Sequence, residues 1–268
     1  MIAENLTVHC LICNEERWIW YALRSALPFC SRLILWDTGS TDRTIDIIGQ
    51  VKSRKISFRS VGLVDSNAIT ELRNEMIRET ETEWFAIVDG DEVWAPALWL
   101  EIADIRQDTQ AEIIVCPLCY PFPRLGYFSA TNDDNFQIAG KKGSYSAKAF
   151  RRTKGIHWKG SYGSEEVLFD SGSVISRGDY PGMRMVTTPI WHMTMLERSS
   201  LDGETLGRSG KLSIDDPQDV DLIKVSQLTD IPEVFYLDRP SSVMNPFLAE
   251  CQQLRNKVPF PHPGCELL

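Results

Sequence analysis

No stretch of the 268-residue chain holds the ~18–20 consecutive apolar residues that a membrane-spanning helix requires. The N-terminus has no basic flank, no apolar run of signal-peptide length and no small-residue cleavage site, so the expected setting is cytoplasmic. Peripheral contact with a membrane surface stays open. Basic residues are in deficit: 28 Lys and Arg stand against 37 Asp and Glu, for a net charge of −9 and a pI of about 5.0. That balance argues against nucleic acid as a partner, because nucleic-acid binding needs a basic face. It does not exclude a single nucleotide, whose diphosphate one divalent cation can neutralise. The phosphate-cradling Gly-x4-Gly-Lys-Ser/Thr loop is absent, which excludes a P-loop enzyme. No GxGxxG follows a strand, which disfavours a dinucleotide oxidoreductase. Internal repeats and low-complexity segments are missing too.

Cysteine is sparse and odd in number, seven in all. Two pairs have CxxC spacing, Cys10/Cys13 and Cys116/Cys119, and zinc is their sharp reading. Both pairs lie in strand-like apolar runs, where residues three apart point to opposite faces and chelate poorly. Reduced, buried thiols fit better, and they suit a reducing compartment.

What is present is an ordinary globular composition, 43% hydrophobic and 24% charged, with length for one large α/β domain or a domain plus an appendage. The first half alternates period. Leu6 to Cys13, Arg32 to Trp36, Ile56 to Val61 and Trp84 to Val88 read as buried strands. Glu15 to Leu27, Thr41 to Val51 (with Ser40 or Thr41 as N-cap) and Ile69 to Thr80 read as helices. Such alternation predicts a mostly parallel sheet with helices on both faces, whose ligands bind outside the carboxyl ends of the strands. Asn14, Asp37 and Asp89 fall at those ends. The second half is less regular. A helix ends over Glu101 to Gln107, strands are expected at Ile113 to Tyr120, Ala147 to Arg152, Glu166 to Phe169 and Pro189 to His192, and 121–146 is a long functional loop. Beyond Glu197 the pattern is helical and polar, with candidate helices at Val220 to Leu228 and Val243 to Arg255 and an extended Pro-rich tail from Pro259.

Two constellations carry chemistry. In Trp84-Phe-Ala-Ile-Val-Asp89-Gly90-Asp91-Glu92, a buried strand delivers two carboxylates to a sheet edge, and Gly90 keeps the turn tight. One carboxylate can take ribose hydroxyls and the other Mg2+ or Mn2+, which is commonly held by one or two carboxylates plus substrate phosphates. The bland alternative is a solvated acidic turn. In Trp36-Asp37-Thr-Gly39-Ser40-Thr-Asp42-Arg43-Thr44, an acidic strand end precedes a glycine turn and a helix. Asp37 could meet a base or ribose; equally, this is a capping turn.

These motifs, with Cys13-Asn14-Glu15-Glu16 after the first strand, Arg73-Asn74 on the third helix, and His192 with Arg198, resemble family 2 glycosyltransferases of the GT-A fold over residues 5 to about 200. The resemblance implies a GT-A (nucleotide-diphospho-sugar transferase) fold and an inverting, metal-dependent transferase of hexosyl type. It places Cys13, Asn14 and Glu15 along the nucleoside and Asp37 at the base or ribose. Arg73 falls near the base and diphosphate, Asp89 and Gly90 on the ribose side, Asp91 and His192 on the metal, and Arg198 at the departing diphosphate. Taken alone, Ile190-Trp-His192-Met would as readily hold a packed core histidine. Inversion needs one general base. The segment from Trp158 to Glu165-Glu166 resembles one in which a His-Glu pair follows Trp-x-Gly, so Glu166 takes the glutamate's place and Glu165 replaces the histidine. Asp133 and Asp134 are the reserves, and Trp158 is a candidate sugar platform. The turn departs from the family in carrying Asp37-Thr38 where many relatives have two aspartates. The Gln-x-x-Arg-Trp run of polymer synthases is absent, which favours single addition.

The implied partners are a nucleoside-diphosphate-sugar donor and a surface-glycan, lipid-linked or small-molecule acceptor. The implied organisation is a transferase domain over 1–200, with a nucleotide half at 1–95 and an acceptor half at 96–200, and a helical extension over 201–268. The rivals are a sugar nucleotidyltransferase, disfavoured by the acidic, glycine-free segment after the first strand, and a catalytically inactive sugar-binding protein on the same fold.

Overall fold

The computed structural model describes residues 4–121, 127–129, 137–138, 140–153, 155–163, 165–169, 180–201, 222–224, 232–236 and 239–243. The apolar runs of the first half form β1 (Leu6–Ile12), β2 (Arg32–Asp37), β3 (Ile56–Ser60) and β4 (Trp84–Ile87), linked by helices α1 (Ile19–Ala26), α2 (Thr44–Ile48) and α3 (Ser66–Arg78). These strands are all parallel, in the order β3-β2-β1-β4. After β4 come β5 (Glu92–Val93), α4 (Pro96–Ile105), β6 (Ile113–Pro121), β7 (Tyr127–Ser129), a ribbon of β8 (Gln137–Ile138) and β9 (Lys141–Lys142), and β10 (Tyr145–Arg151). The hairpin of β11 (His157–Lys159) and β12 (Glu166–Leu168), then β13 (Met183–Met185), β14 (Ile190–His192) and β15 (Leu222–Lys224) complete the strands among the described residues. β10 inserts antiparallel between β4 and β6. β14 runs parallel beside β6 and antiparallel to β5, which sets His192 opposite Glu92.

Alternation along the strands sorts the two faces of the sheet. Leu6, Val8, Cys10, Ile12, Leu33 and Leu35 join one cluster with residues of α1, α2 and α4. Ile34, Trp36 and Leu11 pack against Met76 and Leu72 of α3 on the other face. Six tryptophans, Trp18, Trp36, Trp84, Trp94, Trp99 and Trp191, are fully buried. Each contributes roughly 4–6 kcal/mol of gross apolar burial, so the core can carry an electrostatically expensive site at its edge. The described cysteines Cys10, Cys13, Cys30, Cys116 and Cys119 are free thiols.

The structure corrects several boundaries. The helix expected over Thr41 to Val51 occupies only Thr44–Ile48, because the backbone N–H groups of Thr41 and Asp42 donate to the Asn14 side chain and hold that stretch as a turn. The one expected from Glu15 starts at Ile19 and passes into a 3-10 turn at Leu27–Phe29, where Pro28 ends it. Within 220–228, where a helix was expected, Leu222–Lys224 form a strand paired with β7. A short apolar run does not by itself distinguish strand from helix, and here a free strand edge decides. Asp133, Asp134, most of 201–268 and the Pro-rich tail lie outside the described residues.

One buried titratable group belongs to the fold. His9 lies on the α3 face of β1, stacked on Phe85 at 4.8 Å, with Nε2 2.6 Å from Thr80 Oγ1. Burial, helped by Arg73 and Arg32, lowers its pKa from 6.5 to about 3. The unfolded chain therefore takes up this proton near 6.5 and the folded chain only near 3. The stability conferred by the neutral ring is complete above the upper value and is lost as pH falls. Urea unfolding should show wild type losing stability between pH 6 and pH 4 more steeply than His9→Gln, by about 1.4 kcal/mol per pH unit. Parallel slopes would contradict a neutral buried His9.

Candidate active site

The site is built where the parallel strands end. β1 runs out at Ile12, and Asn14 takes a left-handed φ of 52°, a conformation that asparagine tolerates better than most residues. Its Oδ1 accepts from Thr41 N at 2.8 Å and its own N–H donates to Ser40 Oγ at 2.8 Å. Asp37, at the end of β2, accepts from Gly39 N at 3.2 Å and Ser40 N at 3.1 Å, and Ser60 Oγ donates to it at 3.4 Å. Gly39 has φ +99°, and a Cβ there would lie 2.8 Å from Leu63 N. The Asn14 and Asp37 side chains thus brace the turn. Cys13 sits half-buried beside them.

The β4 end is chemically denser. Asp91 is buried and faces two groups from the far end of the domain. Arg198 Nη1 donates to Oδ2 at 2.7 Å, and His192 Nε2 stands 3.4 Å from Oδ1. Burial pushes the Asp91 carboxyl up, but His192 and Arg198 together outweigh it and hold its pKa below the usual range. The same pairing raises the pKa of His192 against the effect of burial. Arg198 Nη1 also reaches Glu15 Oε1 at 3.0 Å. Gly90 makes this approach possible: a Cβ on it would fall 2.6 Å from Glu15 Cγ and 3.0 Å from Ile12 Cγ2.

Asp89 points the other way. Its Oδ2 accepts from Lys148 Nζ at 2.8 Å, and Arg73 Nη2 lies 3.8 Å from Oδ1. Burial pushes its pKa up, but Lys148 and Arg73 hold it below the usual range. Arg73 lies 5.2 Å over the Trp158 ring and 3.7 Å from Glu165 Oε1. Asn74 exchanges two hydrogen bonds with the backbone of Trp158, at 2.7 and 3.0 Å, and so docks the β11–β12 hairpin on α3.

Glu15, Arg73, Asp89, Gly90, Asp91, Glu165, His192 and Arg198 therefore form one continuous site, with Cys13, Asn14 and Asp37 framing its floor. Glu166 is on β12 in register with Lys159, and neighbouring strand residues face opposite sides, so Glu165 is the glutamate joined to the cluster. One contributor, Lys148, had no motif to announce it. Lys148 is a buried ammonium in an otherwise apolar strand, and the isolated charge in Ala147-Lys148-Ala149-Phe150 was its signal. Asp42 accepts from Ser199 Oγ at 2.6 Å, while Glu16 accepts from Ser200 N at 2.7 Å; together they clamp the segment bearing Arg198.

The donor set suits a divalent cation. A carboxylate oxygen and an imidazole nitrogen 3.4 Å apart match two ligands on one ion with bonds of about 2.1 Å. Among the described residues His192 Nδ1 is buried without a hydrogen-bond partner, so none of them pins the ring from its second side. Among the described residues no three His, Cys, Asp or Glu side chains are arranged for a metal ion.

The sequence profile of Glycosyl transferase family 2 matches residues 7–158. The chain belongs to glycosyl transferase family 2. The α/β sheet of this family member, parallel in its first half with helices on both faces, is the GT-A arrangement. Solved structures similar to it include S. aureus TarS 1–349 in complex with UDP-GlcNAc, at 15% identity and a TM-score of 0.43 over 55% of this chain and 45% of that one. A mannosyltransferase, PcManGT from Pyrobaculum calidifontis, in complex with GDP-Man and Mn2+, is 15% identical, with a TM-score of 0.42 over 69% and 57%. Glucosyl-3-phosphoglycerate synthase from Mycobacterium tuberculosis, in complex with Mn2+ and UDP-glucose, is 19% identical, with a TM-score of 0.37 over 55% and 56%. The family member spans about half the length of these chains. No curated protein matches it at a significant level. Among the described residues no helix is long and apolar enough to cross a membrane.

Gly90→Ala tests the packing of this site. The added methyl must displace Glu15, at about 1–3 kcal/mol of overpacking, and loosen Arg198. Urea unfolding should show that loss, and nucleotide binding should weaken with it. An alanine variant as stable as wild type would contradict the close approach.

Proposed function

We propose that the chain is an inverting glycosyltransferase that moves a sugar from a nucleoside-diphosphate-sugar donor to an acceptor hydroxyl, with Mn2+ or Mg2+ as cofactor. The observation that carries this reading is the convergence of His192 and Arg198 on Asp91 at the carboxyl edge of the parallel strands. Breaking the anomeric C–O bond builds negative charge on a departing diphosphate. Preorganised cationic groups aimed at that charge are among the largest contributions an enzyme makes. Asp91 and His192 would hold the cation, which when bound supplies charge neutralisation at the diphosphate. Arg198, clamped through its neighbours to Glu16 and Asp42, is placed to take the diphosphate oxygens as they leave.

The remaining assignments are those the family resemblance implies. Asp89 is the ribose-side carboxylate. Arg73, braced over Trp158, faces the base and diphosphate. The Asn14–Asp37 turn and Glu15 form the nucleoside floor. Glu165, joined to the cluster through Arg73, is the nearer candidate for the general base, with Glu166 the alternative. We assign residues 1–95 to the donor and 96–200 to the acceptor, and 201–268 to an appended segment. The acceptor is a surface glycan, a lipid-linked sugar or a small molecule. The free thiols suit a cytoplasmic setting.

A screen of UDP-, GDP- and dTDP-sugars by nucleoside-diphosphate release, with Mn2+ and then with chelator, tests the proposal. One donor class should turn over, and only with the cation. Asp91→Asn should lower that rate by roughly 10²–10³-fold while keeping its circular-dichroism spectrum. NMR of the product should show the inverted anomer. Undiminished turnover in the variant would remove the metal assignment, and a retained anomer would remove inversion.

A further inference from the structure

The side chain of Lys148 is 7% exposed, yet it carries a charge into the sheet. It lies where the pairing of β10 with β6 slips: Ala147 pairs with Val115 and Ala149 with Ile114, leaving Lys148 as the extra residue of a bulge. Bulges re-aim side chains and recur beside active sites. Here the bulge sends the ammonium to two carboxylates, Asp89 Oδ2 at 2.8 Å and Glu92 Oε1 at 2.6 Å. Glu92 is in turn fixed. Its Oε2 accepts from the Trp94 indole N–H at 3.2 Å and from Asp89 N at 3.3 Å.

The result is a strut from Trp94 through Glu92 and Lys148 to Asp89. Its last member is the one that meets the cleft: the Asp89 side chain is 29% exposed, against 2% for Asp91 and none for Glu92. Lys148 holds one Asp89 oxygen at hydrogen-bonding distance. Arg73 stays 3.8 Å from the other, Oδ1, so that oxygen is held less tightly than Oδ2. A carboxylate that must accept from a ribose hydroxyl gains from having one oxygen locked, because the rotation is then already frozen before the ligand arrives.

We propose that Lys148 is a positioning residue for the donor: through the strut from Glu92 it fixes the rotamer of Asp89, and so sets the affinity for the donor's ribose. This rests on the glycosyltransferase reading above. A lysine kept only to neutralise buried carboxylates would be replaceable by removing a carboxylate as well. A positioning lysine would not.

The test compares wild type, Lys148→Met and the double variant Lys148→Met/Glu92→Gln, with UDP, GDP and dTDP as calorimetric probes in the presence of Mn2+ and with thermal unfolding alongside. Lys148→Met should unfold at a lower temperature and bind the preferred nucleotide roughly tenfold more weakly, the loss expected for one charge-assisted contact. The double variant should regain thermal stability without regaining affinity. In turnover the deficit should appear in the donor KM, with kcat changed less. Recovery of affinity in the double variant, or wild-type affinity in Lys148→Met, would overturn the proposal and leave the glycosyltransferase reading standing. Absence of nucleotide binding in wild type would overturn both.

Discussion

Four carboxylates, those of Glu15, Asp89, Asp91 and Glu92, crowd the end of β4, and the fold sets two cationic side chains among them, which hold Asp89 and Asp91 ionised against burial. Lys148 spans Asp89 and Glu92, while Arg198 spans Asp91 and Glu15. Buried ions are expensive, and ion pairs in such places return little net stability. The tryptophan-rich core supplies the stability that the cluster does not. Everything functional in the proposal depends on this compensation, because Asp91 is useful only as an anion whose partners come from distant parts of the chain.

Those partners make the site responsive to a bound anion. Arg198 divides one nitrogen between Asp91 and Glu15, and His192 stands off Asp91 at 3.4 Å rather than in a tight bond. An incoming diphosphate and its cation would offer both side chains stronger company at little reorganisation cost. The backbone turn at Asp37–Ser40 is fixed by Asn14 and Gly39, so the nucleoside floor proposed above would not have to form on binding.

The parallel half of the sheet was legible because its strands are continuous apolar runs ending in polar turns, a pattern that buried parallel strands impose. The Asp89-Gly90-Asp91 turn was legible for the same reason. His192 and Arg198 were named through the family resemblance, and what escaped was Lys148. Lys148 reaches the site only because β10 bulges, and a register slip leaves no mark in one sequence. Asn14 and Asp37 also hydrogen-bond within the turn, a bracing role that short polar side chains at strand ends take whether or not a ligand is near. That Glu165 rather than Glu166 lies beside Arg73 needed the folded hairpin. The helix expected at Val220 to Leu228 failed at Leu222–Lys224 because a neighbouring strand edge claimed them.

The account stands on Asp91 and His192 sharing one ion. Electron–nuclear double resonance of Mn2+ bound together with the preferred nucleoside diphosphate reads that ligand set directly. It should show the nitrogen coupling of a single imidazole, plus phosphorus couplings from the diphosphate, with the nitrogen signal lost in His192→Gln. A Mn2+ spectrum with no nitrogen coupling, or one that survives that substitution, would contradict it.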